Sequence, residues 1–359
     1  MIAYILRRLC LIVPTLLAIL VVNFIIVQTV PGGPVEQAVA RLNGIAGGNG
    51  VLGSSAAPGD SGGSAGGAYS SNGVDPALMA QIRKRYGFDK PPLARLGSMI
   101  VSYAHFDFGT SFYLGERVID LIREKLPVSL SLGLWSTLLT YLIAVPLGIR
   151  KALRHGSRFD VWTSTGIVVA YAVPTFLFAV MLITLFAGGL GINVFPLRGL
   201  VSDNFAQMTP WHALLDYGWH LVLPVVSLSL GTLAATAIMT KNAFLNEISR
   251  QYVVTARAKG LTERRILYRH VFRNAILLLV SGIPQTFTSV FLGGALLIEV
   301  LFSLDGFGRM SYEAAMSRDY PVVFGSLFIF TLAGMLIKLI GDLLYMLVDP
   351  RIDLSARAS

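Results

Sequence analysis

Few residues in this chain combine the types and spacing that covalent chemistry needs. His105 with Asp107, and His212 with Asp216 and His220, could serve as acid–base groups of a membrane-embedded hydrolase or transferase. All lie outside the apolar runs, near glycine or aromatic residues, and no nucleophile pattern accompanies them. Gly62-Gly63-Ser64-Ala65-Gly66 matches the G-x-S-x-G elbow. That elbow works only between a strand and a helix, and here it sits in low-complexity sequence. The scattered His and Met show no ligand spacing, so no metal site is expected. No G-x-x-x-x-G-K-S/T loop occurs, nor any Gly-Lys pair, so no ATP site of the P-loop kind and no cofactor is expected in this chain.

The most developed local signals fall in the basic interval 240–274, between two apolar runs. There Tyr252-Val253-Val254-Thr255-Ala256-Arg257-Ala258-Lys259-Gly260-Leu261-Thr262-Glu263 reads as two short helices around a tight turn. Residues 251–259 suit a helix closed by Gly260 at the C′ position, with Lys259 in its last turn. Thr262 can cap a second helix over 263–271, with Glu263 in its first turn. Ala256 and Gly260, four apart, are expected to leave a nearly bare face that another protein's backbone can approach. Arg257, Lys259 and Arg264 could pair with lipid phosphates or acidic partner residues. A loop that only fixes topology would explain the charge but not the two helices. The stretch therefore reads as a docking element that carries force from a partner into a membrane channel.

The rest of the chain must hold that element. Of 359 residues, 54% are hydrophobic and 14% charged, and the mean hydropathy is +0.66. A soluble domain carries nearer a quarter charged residues, so this is a membrane protein, and its successive long apolar runs lead to the expectation of an all-α polytopic fold. The net charge of +9 is spread beside apolar runs and not gathered in one stripe, which excludes nucleic acid as its reason. The single cysteine, Cys10, permits no intrachain disulfide and is expected to be a small buried hydrophobe. A span needs about 20 apolar residues. Six are expected: one within 1–30, an uncleaved anchor, and five near 128–149, 161–187, 221–239, 275–294 and 322–348, with a tail over 349–359. The intervals 150–160 and 240–274 carry Arg150, Lys151, Arg154, Arg158, Lys241, Arg250, Arg257, Lys259, Arg264, Arg265, Arg269 and Arg273. The opposite short intervals carry only Arg198, Arg309 and Arg318, so both termini are expected in the cytoplasm. Residues 31–127 then form a long outside segment. Its part 43–73, rich in Gly and Ser, is expected to be flexible. Order resumes at Asp75, with Pro76 at the first helical position and Leu78, Ile82 and Tyr86 on one face.

Two features inside the spans are polar. The stretch 275–304 is long and punctuated by Gly282, Pro284 and Gly293-Gly294, which predicts a span followed by a re-entrant or surface helix. Gln285, Thr286, Thr288 and Ser289 give it a polar side, and Glu299 lies near its outer end. Gln285, Thr288, Ser289 and Glu299 are candidates for a translocation path, with helix–helix hydrogen bonding as the alternative. Lys338 and Asp342, four apart in the last span, are expected to pair with each other, an ion or substrate relay being the alternative.

Thr255-Ala256-Arg257-Ala258-Lys259-Gly260-Leu261, followed by Arg273-Asn274-Ala275, resembles the coupling segment of inner-membrane permeases of ATP-binding-cassette importers for dipeptides and oligopeptides. Further resemblances follow in order: Pro31-Gly32-Gly33-Pro34, Tyr86-Gly87-Phe88-Asp89-Lys90-Pro91, Phe106-Asp107-Phe108-Gly109-Thr110-Ser111, Pro174-Thr175-Phe176, Phe195-Pro196-Leu197-Arg198-Gly199, His220-Leu221-Val222-Leu223-Pro224, Ile298-Glu299, Arg318-Asp319-Tyr320-Pro321 and Asp349-Pro350-Arg351-Ile352. The Gly-rich insertion and the run from Ile149 to Trp162 resemble the subgroup that imports microcin C and related peptides. Val254-Thr255-Ala256 replaces the Glu-Ala-Ala of the general importer signature, and His270-Val271-Phe272-Arg273 replaces its Ile-x-Leu-Pro. The resemblance implies the type I importer permease fold and alternating access in the bacterial inner membrane. It also implies a second homologous permease, a cytoplasmic ATPase with two nucleotide-binding domains that hold ATP and Mg, a periplasmic peptide-binding protein, and membrane lipid. Tyr252, Thr255, Ala256, Arg257, Ala258, Lys259, Gly260, Leu261 and Glu263 would then couple to the ATPase. A nickel or small-solute permease of the same family, and a peptide exporter, are the nearer alternatives.

Overall fold

The computed structural model describes residues 2–29, 91–188 and 193–348. The motifs at 31–34, 86–90 and 349–352, the helix expected from Asp75 and the stretch 43–73 lie outside the described residues. Among those residues every regular element is helical, apart from two isolated β-bridges. Five helices are long and apolar enough to cross a bilayer, and a bent helix pair supplies a sixth span. The fold is a six-span, all-α membrane protein.

The chain divides into two units. The smaller comprises 13–119 and 318–328. It holds most of α1 (Ile2–Thr29) and all of α2 (Pro92–Ala104), which starts with Pro92 at a position where the missing N–H costs nothing. Tyr103, Phe108 and Phe328 meet edge-on or tilted, with ring centroids 4.9–5.6 Å apart. Buried Asp319 accepts hydrogen bonds from Ser111 Oγ at 2.5 Å and from the Phe112 N–H at 3.1 Å.

The larger unit comprises 1–12, 120–317 and 329–359. Its elements are α3 (Val118–Leu153, begun in the smaller unit), α4 (Arg158–Ala172), α5 (Thr175–Phe186), α6 (Pro210–Ile248), α7 (Gln251–Ala258), α8 (Glu263–Ile266), α9 (Phe272–Ser289), α10 (Ala295–Leu301) and α11 (Phe307–Ser317), with most of α12 (Tyr320–Val348). The central helix is α6, against which α4, α5, α9 and α10 all pack. It runs longer than the expected 221–239, because Pro210 suits a first turn and nothing stops the helix before Ser249.

Three expectations are corrected by packing and backbone chemistry. The span at 161–187 is two helices bent by 95°, since Val173 precedes Pro174 and takes extended backbone, which the proline ring favours. The stretch 275–304 is not cut at Gly282 or Pro284. The helix runs from Glu263 to Gly293 and on through α10, absorbing its irregularities as five-residue π turns at Leu267–Val271 and Val290–Gly294. Asp342 does not pair with Lys338. It faces α1, where Arg8 Nη1 approaches it to 2.6 Å. Cys10 is also exposed, because only 11% of the hydrophobic window of α1 is buried within the chain.

The basic ends of α3, α4 and α6 are fastened by charges that the sequence offers only as topology signals. Lys151 is 1% exposed, and its Nζ lies 2.8 Å from Thr163 Oγ1, 2.7 Å from Ser164 Oγ and 3.2 Å from the Asp160 carboxylate. Lys241 Nζ donates to both oxygens of Asp160, at 2.8 and 2.7 Å. Beside this cluster α3 and α6 cross in close contact at Gly148. A Cβ there would lie 2.5 Å from Thr240 Cβ and 2.8 Å from the Ala237 carbonyl. Gly148→Val is therefore expected to destabilise the purified protein by about 1–3 kcal/mol, as overpacking does. A detergent unfolding titration reads this, and an unchanged midpoint would show that the crossing can open.

Candidate coupling segment and translocation path

After α6 the chain turns at Ser249, and Arg250 takes extended backbone to start α7. The eight residues of α7 place Val253 and Ala256 on one side. Val253 is 0% exposed and Ala256 7%, and both pack in a cluster with Ala152, Ala243, Phe244, Ile266, Val271 and Leu279. Tyr252 and Leu261 flank the same cluster half-buried, and Tyr252 Oη donates to Glu247 at 2.7 Å. Burial first, and the Glu247 carboxylate second, push the Tyr252 phenol above its ordinary range. This corrects the expected bare face, because Ala256 looks inward and its small size lets α7 sit close on α6. Gln251, Val254, Thr255, Arg257, Ala258, Lys259 and Gly260 are the residues that remain exposed.

The turn after α7 has the geometry its sequence suggests. Leu261 N–H reaches the Ala256 carbonyl at 3.2 Å and Gly260 N–H the Arg257 carbonyl at 2.9 Å, which is a Schellman closure. Gly260 has φ +76°, a conformation that side chains with a Cβ resist, while the space around it is open. Arg257 then folds back on Glu263 with two hydrogen bonds of 2.6 and 3.1 Å, so its charge is met within the turn. Thr262 takes the extended backbone of a cap without a side-chain hydrogen bond. The helix that follows does not stop at 271 as expected. No Gly or Pro occurs between Glu263 and Ser281, and it becomes the fifth span.

Along α9 the exposed positions are Arg273 in its first turn and then Asn274, Leu278, Ser281, Gln285 and Ser289, whose spacing of four, three, four and four keeps one face. Ser281 and Ser289 return their hydroxyls to the carbonyls of Leu278 and Gln285. Among the described residues the Gln285 amide has no partner. Thr286 and Thr288 are half-buried and bonded to Gly282 and Pro284 carbonyls. A bare amide facing hydrocarbon is costly, so this face must meet water or another protein. Glu299 is separate. It is 0% exposed, accepts from Ser129 Oγ and from the Arg309 N–H at 2.7 Å, and fastens the turn before α11. That carboxylate is therefore taken up by its own chain.

Of the histidine sets only His220 and Asp216 approach each other, with Nδ1 3.6 Å from the carboxylate. His105 Nδ1 lies 2.8 Å from the Val101 carbonyl, and Asp107 accepts the Gly109 N–H. His220 Nδ1 lies 2.8 Å from the Asp216 carbonyl, and the Asp216 carboxylate holds Ser202 by its N–H and hydroxyl. Residues missed by sequence reasoning are Lys151, Asp160 and Lys241. The capping pattern of Ser157 followed by Asp160 was the one available signal.

A polytopic helical subunit with a capped basic turn and a polar face on one span is a membrane transport component. The chain belongs to the family described as binding-protein-dependent transport system inner membrane component, which matches residues 144–354. It is 53% identical over 363 residues to the peptidoglycan transport system permease protein YejB of Agrobacterium fabrum, covering 99% of each chain. It is 31% identical over 369 residues to the dipeptide transport system permease protein DppB of Escherichia coli K12, covering 98% of this chain and 99% of that one. Among solved structures, an inward-facing MetNI methionine ABC transporter chain superposes with TM-score 0.50 at 18% identity, over 64% of this chain and 96% of that one. This is the type I ABC importer permease fold.

With Cys10 replaced by Ala, a cysteine at Gln285 or Ser281 is expected to react with a membrane-impermeant maleimide in the assembled protein. A cysteine at Leu279, 2% exposed, should not react. Equal labelling at all three sites would remove the distinction between the faces.

Proposed function

We propose that this chain is the transmembrane permease subunit of an ATP-driven importer. It would move peptides or peptide-like compounds from periplasm to cytoplasm by alternating access. The observation that carries the reading is the continuity of one helix from the turn at Gly260 to the polar face at Gln285. Displacement of α7 and its turn reaches the path-side face without an intervening flexible joint. The relatives named for dipeptide and peptidoglycan transport favour a peptide-bearing substrate, with microcin C-like compounds within that class. No observation favours nickel or a hydrolytic activity.

The docking surface would be the exposed Thr255, Ala258, Lys259 and Gly260, steadied by the Arg257–Glu263 pair and by Tyr252, Ala256 and Leu261 beneath. Its partner would be an ATPase with two nucleotide-binding domains, which hold ATP and Mg. A second homologous permease would complete the path formed by Gln285, Thr288 and Ser289, and a periplasmic binding protein would deliver the substrate. The side of the coupling segment, with both termini, would face the cytoplasm, a reading supported by the twelve basic residues there.

Gly260→Leu in the assembled transporter is expected to leave the protein in the membrane while ATP-driven uptake of a labelled tripeptide falls to background. The new side chain must adopt left-handed backbone and protrudes from the docking surface. Uptake at the unaltered rate would overturn the coupling assignment.

A further inference from the structure

Resting on the reading of α7 as the coupling helix, we propose that Asp160 is a positioning residue for coupling. By holding Lys151 and Lys241 it makes the basic ends of α3, α4 and α6 one body that follows α7.

The cluster stands beside the seat of α7. Lys151 adjoins Ala152, and Lys241 lies two and three residues before Ala243 and Phe244. Those three neighbours belong to the apolar cluster that receives Val253 and Ala256. A displacement of α7 therefore reaches α3 and α6 directly. It does not reach α4 that way, because no residue of α4 belongs to that cluster. The apolar contact of α4 with its neighbours rests on Ile167 against Ala144, Ala234 and Ala237, with Leu147 and Leu233 half-buried at its edge. A patch with one buried isoleucine among small alanines is non-directional and by itself fixes the register of α4 only loosely.

Asp160 supplies the missing register. It sits in the first turn of α4, where Ser157 Oγ caps its N–H at 3.3 Å and its own carboxylate accepts the Gly156 N–H at 3.2 Å. One oxygen faces both lysines, and the other faces Lys241 and, at 3.2 Å, His155. Lys151 also reaches the Asp160 carbonyl at 3.1 Å and the hydroxyls one turn further along α4. One carboxylate thus joins the loop between α3 and α4, the start of α4, and two lysines on different helices. Such buried hydrogen-bonded charges are more directional than the apolar contact around Ile167. A topology signal would need only exposed positive charge, whereas the Lys151 side chain is 1% exposed.

The test uses the whole transporter in proteoliposomes, with tripeptide uptake and ATP hydrolysis measured on equal amounts of assembled complex. Asp160→Asn is expected to keep hydrolysis within about twofold while uptake per ATP falls about tenfold, the size of an ordinary coupling term. Lys241→Arg, which preserves the bond to Asp160, should keep the ratio. An unchanged ratio in Asp160→Asn overturns the proposal, as does a loss of uptake that tracks only the amount of assembled protein. Should that variant fail to assemble, Lys241→Gln keeps the Lys151–Asp160 pair neutral and is read in the same way, an unchanged ratio again overturning it. Gly260→Leu separates the two readings. If it uncouples and the Asp160 and Lys241 variants do not, the brace alone fails; if it transports normally, the coupling reading fails.

Discussion

The hydrocarbon of a bilayer offers no hydrogen bonds, and this constraint accounts for most of what the chain does. Backbone groups at membrane depth must pair within their own helix, so proline and glycine inside the spans are absorbed and do not end them. Pro284 stays inside α9, Pro127 and Pro146 inside α3, and Pro224 inside α6. Where the helix cannot close its usual bonds, it widens into π turns. Pro174 breaks the helix because the residue before it has already taken extended backbone. The same constraint turns an exposed Gln285 into information, since such an amide is stable only against water or another protein.

Within that frame the coupling segment is held by packing more than by charge. Val253 and Ala256 are the buried side of α7, and the exposed Arg257–Glu263 pair closes the turn beside them. Exposed ion pairs of this kind contribute little to stability. Their value here is geometric, because they tie the end of α7 to the start of the helix that becomes the polar span. Two junctions lead out of the turn: one through Phe244 into α6, and one along the backbone into α9.

Much of this was legible in the residues. The Gly260 closure, the position of the short helix and the polar side of the fifth span all follow from local rules of helix ends and hydropathy. The inward face of Ala256 was not legible. An eight-residue helix has two candidate sides, and only the position of Phe244 decides which is covered. Glu299 was similarly ambiguous, since a carboxylate near the outer end of a span suits a path as well as it suits Ser129 and a turn.

Hydropathy, charge asymmetry and helix-end chemistry by themselves determined that this chain is a polytopic helical membrane protein with a capped basic turn between its fourth and fifth spans. Those properties depend on residues near one another in sequence. The tertiary structure alone decided which charges are topology signals and which are fasteners. Lys151 and Lys241 are ninety residues apart in sequence, and their pairing with Asp160 exists only because α3, α4 and α6 bring their basic ends together. Burial makes that pairing specific, and burial is a property of the packed helices that no single stretch of sequence contains.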